Sequence, residues 1–214
     1  MTVFLNNSFA EGDYSAWSST TVGEGQTLEI SEAWSHHDTY SSHCAVTDWS
    51  WLKAYCTHTL AEAQGTLNLR VYAKFVSLAA GNQILEIELV NSKTLHLRVG
   101  DGNKYRIVSQ GLDANIDTTT DTDIPTGTLQ IIELHYKKGA GTGEASLTVN
   151  GAEIYNTTNN NFGDYNAVGV NVGLYNLGTP AMEAYYDCVV VADAEIGVES
   201  SGQQLFTLIN MMGY

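Results

Sequence analysis

From Thr66 to Phe75 apolar and polar residues alternate one by one. Leu67, Leu69, Val71, Ala73 and Phe75 fall on one side of an extended chain, and Asn68, Arg70, Tyr72 and Lys74 on the other. A period of two marks a strand with one buried face. The segment ILEIELV repeats the pattern, with Leu85, Ile87 and Leu89 inward and Glu86 and Glu88 outward. Between TLHLRV and KYRIV stands Gly-Asp-Gly-Asn, and Asn150–Gly151 interrupts ASLTVNGAEIY. Both interruptions are hairpin signals. LQIIELHYKK, AVGVNVGLY and MEAYYDCVVVA read as further strands, as do weaker stretches near 27–31, 39–46 and 53–60. Helical periodicity is almost absent. Roughly a dozen short strands separated by turns predict an all-β, two-sheet antiparallel β-sandwich.

The chain has 214 residues, within the range of one large sandwich, and no internal repeat or shift of composition divides it. Residues 1–197 are expected to form the sandwich. Residues 198–214 are expected to form a linker, ESSGQQ, followed by an apolar tail, Leu205–Tyr214. The net charge of −15 argues against nucleic acid, which demands a basic face, and against an anionic membrane surface. No apolar run is long enough to insert into a membrane. The first residues lack a basic region followed by an apolar stretch, so no signal peptide is expected. Three cysteines match no zinc spacing. A Cys44–Cys56 disulfide is open if adjacent strands carry the two residues; the alternative is three buried free thiols.

Residues 33–51 gather three of the four tryptophans and three of the six histidines. His36 and His37 are adjacent, so on a strand they point to opposite faces and do not chelate one ion together. SEAWSHHDTYSS crowds Ser, His and Asp without alternation and reads as a loop. Trp34, His36, His37 and Tyr40 can project from it, and Trp49 and Trp51 share a face if extended. Aromatic rings beside polar fixers suit the apolar C–H faces and hydroxyls of a sugar. The competing reading puts one or more of these tryptophans in the core. GLDANIDTTTDTDIPTG carries four aspartates but lacks the glycine and glutamate of an EF-hand loop, and is read as a surface loop.

FAEGDYSAWS, AYCTHTL followed by LNLRVYAKF, YKKGAGTGEASLTVNGAEI and AYYDCVVVADAEIG occur in an order that resembles the concanavalin A-like lectin/glucanase superfamily. The nearest likeness is to its laminin G-like jelly-roll branch, from about Phe9 to Gly197. The resemblance implies a jelly roll and a polysaccharide or cell-surface glycan as ligand. It also implies a structural calcium beside the first and last strands. Asp187, with Glu11, would supply its oxygen ligands, although Cys188 stands where many members have a second aspartate. Glucanases of the superfamily carry three acids on one strand. Glu86 and Glu88 supply two, and residues 89–91 supply none.

These observations favour a non-enzymatic, outward-facing binding or decoration domain, extracellular or on a virion surface. Its glycan would sit on the Trp34–Trp51 region and its neighbouring subunits on Leu205–Tyr214. One alternative is a polysaccharide lyase or glucanase built around Arg70, His96, Arg98 and Tyr105 or Arg106. Another is a structural cement protein with no glycan affinity.

Overall fold

The computed structural model describes residues 1–47, 51–176 and 180–197. Fifteen strands account for most of them. They are β1 (Val3–Asn7), β2 (Ser19–Val22), β3 (Thr27–Ser31), β4 (Ser41–Val46), β5 (Lys53–Gln64), β6 (Thr66–Ser77), β7 (Gln83–Leu89) and β8 (Lys93–Val99). Then follow β9 (Lys104–Gln110), β10 (Asp117–Asp123), β11 (Leu129–Lys137), β12 (Gly139–Val149), β13 (Ala152–Gly163), β14 (Ala167–Tyr175) and β15 (Met182–Ala192).

Sheet A has the order β13-β12-β11-β6-β15-β4-β3, and β1 also pairs with β15. Sheet B has the order β10-β9-β8-β7-β14-β5-β2. Every pairing between these strands is antiparallel. The predicted two-sheet sandwich is therefore the fold. The alternating residues meet between the sheets: Leu67, Leu69, Val71 and Phe75 from sheet A, Leu85, Ile87, Leu95 and Leu97 from sheet B, all essentially inaccessible. Tyr186 spans the layers, its hydroxyl donating to the Gly173 carbonyl at 3.5 Å. Trp17 is core, stacked on Phe9 and donating from Nε1 to Asn7 at 3.1 Å.

Two expectations change and one open question closes. The aspartate-rich segment is not a loop throughout, because Asp117–Asp123 forms the edge strand β10 against β9. Its polar residues suit an edge, where charged side chains discourage pairing with other chains. Cys44, Cys56 and Cys188 are free and buried, which settles the disulfide question in favour of thiols. Burial pushes the Cys44 thiol up to about 12, so it does not act as a thiolate at neutral pH. The outward face of sheet A is also drier than alternation implies: Asn68, Arg70 and Tyr72 are buried on it. Segment 193–197 and the loop before β4 lie across that face, as their contacts below show.

Candidate glycan-binding face

The outward side of sheet B carries a closed set of polar side chains. Glu86 (β7) and His96 (β8) are register partners, as are Glu86 and Asn171 (β14), and Asn171 and Thr57 (β5). Glu86 Oε2 lies 2.9 Å from His96 Nδ1 and accepts from Gln83 Nε2 at 3.1 Å. Glu86 Oε1 accepts from Asn171 Nδ2 at 2.7 Å, the same amide reaches Glu88 Oε1 at 2.9 Å, and Thr57 donates to Asn171 Oδ1. His96 Nδ1 also meets Gln83 Oε1, and Nε2 meets the Thr94 hydroxyl. Two acceptors face Nδ1, which assigns a proton there.

Gln83 joins this floor through a backbone irregularity. Strict alternation from Leu85 would turn it inward. Between Gln83 and Leu85 the register with β8 slips by one residue, so Ile84 and Leu85 both enter the core and Gln83 comes to lie opposite Arg98. A β-bulge re-aims a side chain in this way. Burial alone would raise the Glu86 carboxyl. The hydrogen bond and charge of His96, then Asn171 and Gln83, hold it below its ordinary value.

Around the floor stand cations and rings. Arg98, Arg106 and Asp117 come from β8, β9 and β10; Arg106 and Asp117 form two parallel bonds of 2.7 Å. Arg98 Nε is buried and has no hydrogen-bond partner among the described residues. Burial, with Arg106 beside it, lowers the Arg98 pKa. Lys53 Nζ sits 5.0 Å above the Tyr175 ring and 6.0 Å above that of Tyr55. Trp51 is 70% exposed, with its ring 6.2 Å from Tyr175.

The aromatic cluster read from residues 33–51 does not converge. Trp51 belongs to the sheet B side, and Trp49 lies outside the described residues. Trp34, His36, His37 and Tyr40 belong to the loop between β3 and β4, on the sheet A side. His36 stacks on Tyr72 at 4.2 Å, and His37 packs edge-on to His36. Trp34 tilts against Tyr185 at 6.3 Å, and Tyr40 packs against the core. Outward faces of a two-layer sandwich look in opposite directions, so these residues do not form one continuous surface.

Asp187 holds that loop. Its Oδ2 accepts from the His36 and His37 backbone amides at 2.7 and 2.9 Å, and its Oδ1 from Cys188 at 2.7 Å. A register shift between Asp187 and Val190, with Cys188 at φ 48°, turns the carboxylate toward the loop. Burial raises the Asp187 pKa, and the three amides only partly oppose it. The carboxylate thus points at N–H donors, and Glu11 is exposed. Among the described residues no group of three or more His, Cys, Asp or Glu gathers around this carboxylate or elsewhere as a metal site.

The rival set also divides. His96 and Arg98 share the sheet B face with Arg106. Tyr105 points into the core, and Arg70 lies on sheet A, donating to the Gly197 carbonyl at 2.8 Å. Sequence reading missed Gln83, Asn171 and Tyr175. The inward pattern of β14 could have flagged Asn171 and Tyr175, but nothing local signalled the bulge that presents Gln83.

No protein-family model matches the chain, nor does any curated protein sequence. Solved structures do. The cellulose-induced protein Cip1 aligns at TM-score 0.73 and 15% identity, over 91% of this chain and 100% of that one. An endo-β-1,4-glucuronan lyase from the fungus Trichoderma reesei aligns at TM-score 0.73 and 13% identity, over 90% and 96%. The catalytic domain of a glycoside hydrolase family 131 protein from Coprinopsis cinerea aligns at TM-score 0.58 and 15% identity, over 94% and 99%. These likenesses show the fold alone, a jelly-roll β-sandwich. No helix among the described residues is long and apolar enough to cross a membrane.

Proposed function

We propose that the chain is a glycan-binding module that lays a polysaccharide across the outward face of β5, β14, β7 and β8. The observation that carries this reading is the continuity of an aromatic rim, exposed Trp51 with half-buried Tyr175 and Tyr55, with a prearranged polar floor that leaves Arg98 Nε without a partner among the described residues. Rings stack on sugar faces and fixed donors and acceptors read the hydroxyls. The floor is bound to itself: His96 is 4% exposed and engages neighbours through both nitrogens. A residue so held is suited to orienting a ligand. A general base must reach the proton it removes.

A second reading, a polysaccharide lyase, is favoured by Gln83, His96, Arg98 and Tyr175 sharing one face, where an arginine can pair with a uronate carboxylate. Titration calorimetry of neutral and uronate polysaccharides, run alongside absorbance of unsaturated product, separates the two. Saturable binding with no product supports the binding module, and steady product formation overturns it. Trp51→Ala is expected to weaken binding by about threefold to tenfold, the worth of one aromatic contact.

We also propose that Leu205–Tyr214, outside the described residues, docks neighbouring subunits of a larger assembly such as a virion. A chain ending at Gly197 that keeps full self- or partner association sinks that part.

A further inference from the structure

The outward face of sheet A holds a second cavity, of about 380 Å³. Its floor is Asn68 (β6) and His135 (β11), and its walls include Glu144 and Ser146 (β12), Glu153 (β13) and Glu195. Three features define what it can take. Asn68 is 2% exposed, its Oδ1 meets His135 Nδ1 at 2.9 Å, and its Nδ2 has no hydrogen-bond partner among the described residues. A buried amide donor left unpaired costs about 1–3 kcal/mol, which a ligand acceptor would relieve.

The charge around it is unbalanced. Glu144 pairs with Lys137 at 2.7 Å, and Glu133 is taken by the Ile196 and Gly197 amides. Glu153 accepts only from the neutral amide of Asn156 among the bonds it shows, and Glu195 adds a further carboxylate. Burial lowers the pKa of His135, so the ring contributes no charge at neutral pH. Finally, the lining holds hydroxyls, amides and carboxylates but no Phe, Tyr or Trp, and its one imidazole, His135, is a floor group hydrogen-bonded to Asn68, so recognition is polar and ionic.

We propose that this cavity is a binding site for an amino sugar bearing a free ammonium group, distinct from the face on sheet B. The ammonium faces Glu144, Glu153 and Glu195. A ring hydroxyl accepts from Asn68 Nδ2, and neighbouring hydroxyls exchange hydrogen bonds with Ser146. A uronate is excluded by like charge, and a plain hexose loses the ionic contribution.

The test is calorimetric titration of the full chain at about pH 6, where amines are charged, with three probes: fully deacetylated chitosan tetramer, its fully N-acetylated counterpart, and cellotetraose. The expected result is binding of the deacetylated tetramer about tenfold or more tighter than the other two. Glu144→Gln and Glu153→Gln should each weaken it by about threefold to fivefold, the scale of a partly exposed ion pair. Asn68→Ala should weaken it further; because that variant removes a buried group, the two glutamine variants carry the test if it fails to fold. Arg98→Ala on sheet B should leave this affinity unchanged, so failure here and failure of the sheet B reading are told apart. Equal affinity for the three probes overturns the proposal, as does unaltered binding in both glutamine variants or no saturation at about 10 mM, beyond the weakest affinity a specific site would show.

Discussion

Asp187 and Glu86 are both buried carboxylates, and their surroundings push them in opposite directions. Asp187 receives three amide protons yet is dominated by burial, so its folded pKa stands above the ordinary value. Its stabilisation is complete below the unfolded pKa and declines as pH rises through the folded one. Glu86 is held below its ordinary value, so its contribution is present above that value and is lost as pH falls through the folded pKa. We expect the wild type to lose urea resistance on acidification below about pH 4.5, and Glu86→Gln to show a shallower loss over the same range. Parallel slopes for the two proteins would contradict the network as drawn. Removing Asp187 strips the acceptor from three amides: Asp187→Ala should cost about 3 kcal/mol, and Asp187→Asn, which keeps one acceptor oxygen, about half as much. Urea midpoints compare them.

At the scale of elements, irregular positions decide what the strands present. β14 gains a residue relative to β7 between Val172 and Tyr175, with Gly173 at φ 139°. A Cβ there would lie 2.4 Å from the Ala54 carbonyl oxygen and 2.6 Å from Tyr55 Cα. Gly173→Ala should therefore cost about 2–4 kcal/mol, because both strain and β5–β14 contact oppose it, and should reduce sheet B binding by displacing Tyr55 and Tyr175. Thermal unfolding and a binding isotherm report the two effects. The bulge at Ile84 has the same standing on β7. Alternation in ILEIELV places Glu86 and Glu88 outward without any knowledge of partners. It cannot place Gln83, because a bulge is fixed by pairing with β8. Asp117–Asp123 escaped notice for a related reason: an edge strand of Thr and Asp has no apolar face to signal it.

For the whole molecule, the consequence is two faces with different chemistry on one core. Trp51 reports on sheet B, and Trp34 on the loop that Asp187 pins to sheet A. Trp34→Ala is expected to leave sheet B binding unchanged, and the Trp34→Ala/Trp51→Ala double variant to bind as Trp51→Ala alone, since sites far apart add independently. A further loss in the double variant would mean that one ligand spans both. The all-β class, the main hairpins and the inward faces of the regular strands such as β6 were legible in the sequence, whereas Ile84 and Tyr105 in the core were not. What was legible follows from period two and turn chemistry, which are local. The sequence put His96 and Arg98 on one face with Tyr105 or Arg106 on the next strand; the register of β8 with β9 selects Arg106 and turns Tyr105 into the core. Tertiary structure alone decided that the aromatic-rich stretch 33–51 is shared between opposite faces, that Arg70 and Asp187 are buried anchors, and that Asn68 and His135 floor a cavity. Each of these depends on which distant strand lies alongside and on where the register slips, and a one-residue slip leaves no trace in the alternation of either partner.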